Sequence, residues 1–387
     1  MGYPKLSLTA ARHLSRGTQG GRVRRVMRRR GRLICGTVAV AGFLFGGAVL
    51  PVTSASAAPS RAVQSTQVGK LVATLHDPAP SSSSDDEYGS SMAVSGKTLV
   101  VGADGANAFL GLTHIYVKGA SGWPKLPTTT LHDPAQTFYD LFGESVAVAG
   151  ETVVVGAPGE GASPGVAYVY VKGAAGWPAT PTVTLPNPVA NANDVFGISV
   201  AVSGTTIVVG AGGNSAYIYA KGVTGWSTTP TVTLQDPAAT PNDQFGTSVA
   251  VSGKTVVVGA YNFNSAAGVT YVYTKGAAGW PTTPTVTLQD PAATGRDYFG
   301  NSVAVSGTTI VVGAYGTTPG GAAYIYAKDV TGWPTTPTVT LLAAAYMAPG
   351  TPAGGAFGLA AAVSGTTAII SALGYNPGLG TAYIYKA

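Results

Sequence analysis

From residue 70 onward the chain is a succession of short apolar runs broken by Gly, Pro, Asn and Asp. Four run types recur in fixed order. The first is Phe-Gly-x-Ser-Val-Ala-Val, as in residues 245–251. The second is a β-branched run ending in Gly-Ala, as in 255–260. The third alternates tyrosine with small apolar residues, as in 270–273, and the fourth is Thr-Val-Thr-Leu, as in 285–288. Runs of this length and composition, bounded by turn residues, predict β-strands. A 3.6-residue helical periodicity is absent from this region.

The set is written six times. The Phe/Tyr-Gly glycines are Gly89, Gly143, Gly197, Gly246, Gly300 and Gly358, at intervals of 54, 54, 49, 54 and 58 residues. The five tryptophans, Trp123, Trp177, Trp226, Trp280 and Trp333, keep the same register. Four short strands per ~50 residues, repeated, predict a β-propeller. The fold expected is therefore all-β, with six four-stranded blades over 70–387. A linear solenoid is the alternative. The two ends favour the ring. The sixth repeat stops after its third strand, and the missing fourth precedes the first repeat as Leu71-Val72-Ala73-Thr74-Leu75. That N-terminal strand would complete the last blade and remove its open edge.

Composition changes the picture at the N-terminus only. The formal charge of +6 comes from residues 1–57, which hold ten of the 22 Lys+Arg and none of the 16 Asp+Glu. The remainder has 12 basic against 16 acidic groups, net −4. This leaves no basic footprint for nucleic acid. The basic stretch ending Arg28-Arg29-Arg30 leads into an apolar run over 33–50 and then Ala55-Ser56-Ala57 before Ala58. This is the pattern of a secretory signal peptide over 1–57, cut after Ala57. Residues 58–69 read as a short linker. An uncleaved anchor is the alternative, since 18 apolar residues approach a bilayer span. The single Cys35 lies in this segment, so the repeats have no disulfide and no thiol chemistry.

The Phe-Gly opening, the Ser-Val-Ala strand and Val155-Gly156-Ala157-Pro158 resemble the FG-GAP repeat, found in the propeller of integrin α-subunits and in secreted bacterial proteins. The resemblance implies an extracellular binding or adhesion module. Many such repeats carry a calcium loop between the first two strands. Here that connection is Ser-Gly-Lys-Thr, Ala-Gly-Glu-Thr or Ser-Gly-Thr-Thr. Calcium takes six to eight oxygens, several from carboxylates. These turns lack them, so no metal site and no cofactor is expected.

Other recurring residues read as structural. Asp86, Asp140, Asp194, Asp243 and Asp297 stand two residues before Phe/Tyr-Gly, and Asp77, Asp133, Asp236 and Asp290 precede proline. Aspartate binding its own backbone suits such corners; a carboxylate ring holding a cation is the rival. A lysine follows each third strand, from Lys118 to Lys386, as a solvated strand end. The paired tyrosines of the third strand share one face and are expected to pack between blades. The tryptophans are expected to plug the blade bases, with sugar-binding platforms as the alternative. His114 is read as occupying a slot filled elsewhere by Ala or Thr, and His76 and His132 as a polar loop position shared with Gln.

Two connections vary between repeats, that between strands two and three and that between strands four and one. In an up-and-down blade both emerge on one face, which suggests a recognition surface. The candidate ligand-binding residues there are Asp104, Glu160, Asn214, Asn262, Phe263 and Tyr315. The reading is a secreted, monomeric, non-enzymatic module that binds an extracellular glycan, cell-wall component or protein, without a membrane span after cleavage. A polysaccharide-acting enzyme on the same scaffold, or a purely structural module, are the alternatives. No catalytic constellation such as Gly-x-Ser-x-Gly or His-Glu-x-x-His occurs.

Overall fold

The computed structural model describes residues 38–40, 73–78, 80, 86–159, 164–189, 194–292, 295–343, 356–373 and 380–386. Cys35, the cleavage site at Ala57, the linker, Leu71 and Val72, Asp85 and Glu160 lie outside the described residues.

The architecture is a six-bladed β-propeller. Blade four shows the unit: Phe245–Ser252, Thr255–Ala260, Val269–Thr274 and Val286–Gln289 form an antiparallel up-and-down sheet. Blades one (92–132), two (145–186), three (196–235) and five (302–342) repeat it. Blade six shows three strands, Ala361–Ser364, Thr367–Leu373 and Gly380–Lys386. From blade one to blade six the first strand of each blade packs on that of the next, and Val38–Val40 contacts the first strands of both blade six and blade one, so these strands line the axis. Two four-residue helical turns, Ala106–Phe109 and Phe263–Ala266, are the helical elements among the described residues.

The core lies between blades, which explains the period-two pattern. One face of blade three, with Val208, Ile218 and Leu234, meets the opposite face of blade four, with Phe245, Val249, Tyr271 and Tyr273. The first three strands of blades two to five are buried on both sides, so both alternating sets are apolar, whereas the outer fourth strand buries only its Leu. The tyrosines pack between blades as their periodicity predicts. Phe245 meets Tyr271 at 5.5–5.7 Å between ring centroids, as do Phe142 with Tyr168, Phe196 with Tyr217 and Phe299 with Tyr324.

The repeat signature is an inter-blade joint. The serine two residues after the Phe-Gly glycine donates its hydroxyl to the glycine carbonyl of the next blade. Ser91 Oγ reaches Gly143 O at 2.6 Å, Ser145 reaches Gly197 at 2.8 Å, Ser199 reaches Gly246 at 2.8 Å, Ser248 reaches Gly300 at 2.6 Å, and Ser302 reaches Gly358 at 2.9 Å. The Gly-Ala glycine sits beneath this bond. A Cβ at Gly156 would overlap the Gly197 carbonyl, so only glycine allows this approach.

At the N-terminal side, Val38–Val40 pairs in parallel with Met92–Val94 and also packs on the first strand of blade six. Residues 73–75 carry no strand pairing. Asp77, just beyond them, acts on Tyr88, His114 and Tyr116 of blade one. Asp133 acts in the same way on Tyr168 and Tyr170 of blade two. Asp77 thus bears on blade one as Asp133 bears on blade two.

Candidate functional site

The variable connections form one end of the ring, and their bases follow one plan. The residue before each Phe/Tyr-Gly is left-handed in all six repeats: Glu87, Leu141, Val195, Gln244, Tyr298 and Ala356, with φ between 42° and 61°. None is glycine, and such backbone costs about 1–3 kcal/mol where sterics oppose it. The residue after Gly-Ala meets this position on its own blade and on the next. A Cβ at Gly212 would stand 2.8 Å from Val195 Cγ2 and 3.7 Å from Gln244 Oε1. In blades four and five the same slots hold tyrosines. Tyr298 stacks on Tyr315 at 4.7 Å with planes 4° apart, and Tyr261 leans on Tyr298 at 6.2 Å. All three are half-buried. Blade three fills the slot with Gly212, and blade two with Pro158.

Blade one fills it with Asp104, which is fully buried with neither carboxylate oxygen hydrogen-bonded. Among the other candidates, Asn214 Nδ2 donates to Thr240 O at 3.2 Å and Asn262 Nδ2 to Asn242 O at 2.7 Å. Both tie a strand two–three loop to the neighbouring strand four–one loop. Phe263 packs into the core between blades three and four. Tyr315 alone among the six belongs to the aromatic cluster, which also recruits Tyr261 and Tyr298. Sequence reading singled out no cluster there, although substitution of the proline by tyrosine in two adjacent repeats was its visible trace.

The aspartate series divide by role. Asp133, Asp236 and Asp290 accept the backbone N–H two residues on, at 3.0–3.1 Å, and Asn187 does the same at 3.0 Å. That is the expected corner device. The second series acts through its main chain: the carbonyls of Asp140, Asp194, Asp243 and Asp297 accept N–H groups of Gly159, Gly213, Asn262 and Gly316 at 3.0–3.3 Å. Each bond clamps the loop before a blade to the loop over its second strand. Asp236 and Asp243 are both buried, and the Oδ2 of each lacks a hydrogen-bond partner. Burial first, and then the Asp236 charge, push the Asp243 carboxyl up to about 6. No group of three or more His, Cys, Asp or Glu able to hold a metal ion occurs among the described residues.

On the opposite end, Trp177, Trp226, Trp280 and Trp333 are buried in the inter-blade cores. They are not accessible platforms. Their partners are the recurring lysines: Lys118, Lys172, Lys221, Lys275 and Lys328 stand 5.5–6.0 Å from the ring of the following tryptophan. The lysine is thus a cation–π lid on the corner as well as a strand end. His114 corrects the sequence alignment. It pairs with Val101 as Tyr168 pairs with Val155, so it replaces the first tyrosine of the third strand, not an Ala or Thr.

Together the ring, its axial first strands and its one-sided variable loops define a six-bladed β-propeller. The FG-GAP repeat family profile matches residues 129–170, 183–223, 226–273 and 283–326. These stretches are FG-GAP repeats, and the ring they build is an FG-GAP propeller. Most matched units run from a fourth strand to the third strand of the next blade. No curated protein matches the sequence. Among solved structures, a chain of "Crystal Structure of Mitotic Checkpoint Complex" is similar at 15% identity and a TM-score of 0.48, over 77% of this chain and 74% of that one. FG-GAP repeats are typical of extracellular proteins. No helix among the described residues is long and apolar enough to cross a membrane.

Proposed function

We propose that this propeller is a secreted, non-enzymatic recognition module whose ligand is an extracellular or cell-wall glycan. The observation that carries the reading is the Tyr261–Tyr298–Tyr315 cluster on the variable face. Stacked aromatic rings at a loop surface offer flat apolar area at low entropic cost, which suits the C–H faces of sugar rings. Side-chain amides of Asn262 and Gln244 stand on the adjoining loops for hydrogen bonding. The scaffold beneath is tied blade to blade, so the loops sit on rigid strands. Secretion is supported by the N-terminal basic, apolar and Ala-Ser-Ala sequence. Binding is expected to be independent of calcium, and the protein to be monomeric.

The test is co-sedimentation of the purified chain with insoluble chitin, cellulose and peptidoglycan, alongside a Tyr298→Ala variant. Saturable binding by the native chain, lost in the variant, is the expected result. Absence of binding to every polysaccharide, together with capture of an extracellular protein, would replace the glycan by a protein ligand on the same face.

A further inference from the structure

The six junctions of the ring are not equivalent. Those from one–two to five–six each carry the serine-to-glycine bond described above. At six–one the serine is Ala360, and the strand-two glycine is Ser371. Ser371 Oγ turns back on its own blade to accept the Ala360 N–H at 2.9 Å. A second tie joins the hairpin turns: Gly150, Gly253, Gly307 and Gly365 donate N–H to Ser95, Ser203, Ser252 and Ser306 of the preceding blade at 3.0–3.2 Å. The two–three junction lacks this tie because Ala149 replaces the serine, but it keeps the first. Among the described residues only the six–one junction lacks both.

Val38–Val40 lies against the first strands on both sides of this junction, yet apolar positions of both blades stay exposed. Ile369 is 36% and Ile384 56% exposed, whereas their counterparts in blade five, Val311 and Ile325, are 0% and 2%. Across the junction Met92 is 41% exposed, against 0% for Val146 in blade two. The segment 73–78 lies beside blade one with Asp77 acting on His114, yet it forms no ladder with Gly380–Lys386.

His114 is the residue this junction substitutes for tyrosine. It packs on Tyr88 at 5.7 Å, where other blades place Phe against Tyr. Its Nδ1 is 3.1 Å from Thr130 Oγ1, and its buried Nε2 has no partner. The groups facing it are Asp77 from the 73–78 segment, His132 from the outer strand, and Tyr88, whose hydroxyl is bonded to that of Tyr116 at 2.7 Å. We propose that the six–one junction is a reversible joint, closed by segment 73–78 as a strap and opened when His114 is protonated. Burial holds His114 below the ordinary histidine range, outweighing the attraction of Asp77. A group depressed in the closed state favours closure above its ordinary value and loses that contribution as pH falls. A proton on His114 adds a buried cation whose Nε2 has no acceptor, a cost that opening the joint to water relieves.

Hydrogen exchange of the full chain, corrected for intrinsic rates at about pH 7.5 and about pH 5.5, tests this. Segments 88–95 and 380–386 are expected to be less protected than 245–252 and 269–274 at both values. Their protection should fall roughly tenfold further in acid. His114→Tyr, which restores the residue of the other blades, should abolish the acid response. His114→Gln serves the same comparison if the tyrosine variant does not fold. The double variant Ala360→Ser/Ser371→Gly should raise protection on both sides of the joint. Equal protection of the six–one and three–four junctions, or an acid response that persists without His114, overturns the proposal.

Discussion

Ser248 donates its hydroxyl to the carbonyl of Gly300 at 2.6 Å, from one blade to the next, in a buried setting that excludes water. The same pair recurs at five of the six junctions and accounts for the serine and the Phe-Gly glycine of the repeat. Replacing Ser248 by alanine leaves the Gly300 carbonyl without its donor. The expected loss is about 1–3 kcal/mol of stability, read from the denaturant midpoint at unchanged slope. Gly259→Ala drives a methyl into the same carbonyl and should cost more than Ser248→Ala.

Asp243 provides a pH prediction. Its carboxyl is raised to about 6 by burial and by Asp236. The folded chain therefore holds this proton more tightly than the unfolded one. The stabilising contribution is complete below the ordinary aspartate range and is lost as pH rises through about 6. Asp243→Asn should raise the thermal midpoint at pH near 7–8 and flatten the decline across that window. A variant with an unchanged pH–stability curve would show that Asp243 holds its proton no more tightly in the folded chain than in the unfolded one.

The tyrosine cluster and the tryptophans should separate by phenotype. Tyr298→Ala is expected to abolish polysaccharide binding while lowering stability modestly, because the ring is half-buried. Trp280→Ala is expected to cost about 3–5 kcal/mol, since that ring lies in the core between blades three and four. Lys275→Ala, which removes only the cation over Trp280, should cost about 0.5–1 kcal/mol. Thermal unfolding and co-sedimentation on the three variants check the division.

Chelation should leave the protein unchanged. The first hairpin turns carry too few oxygens for calcium, so EDTA is expected to shift neither the melting temperature nor glycan binding. A fall in melting temperature that added calcium restores would place a cation in the ring and direct attention to the paired aspartates.

Much of the fold could be read in the chain because each blade is a local object. Phe245, Val249 and Tyr271 fall within about one repeat, and strand alternation assigns them to a common face. The corner aspartates were equally legible, since Asp133 binds an N–H only two residues away. The slot of His114 was misread because the first repeat departs from the others on both sides of it, and only the pairing with Val101 fixes the register.

The sequence by itself determined the strands, their four-fold grouping and the number of blades, because side-chain period and turn residues act over a few positions. It also marked the sixth repeat as divergent, through Ile370-Ser371-Ala372 in place of Val-Gly-Ala. Only the tertiary structure decided that Tyr298 and Tyr315 lie face to face with Tyr261 beside them, that four of the five tryptophans are buried, and that the missing serine leaves one junction untied. These relationships join residues on different strands or different blades. Contacts of that kind depend on how neighbouring sheets pack across the ring, which no local pattern records.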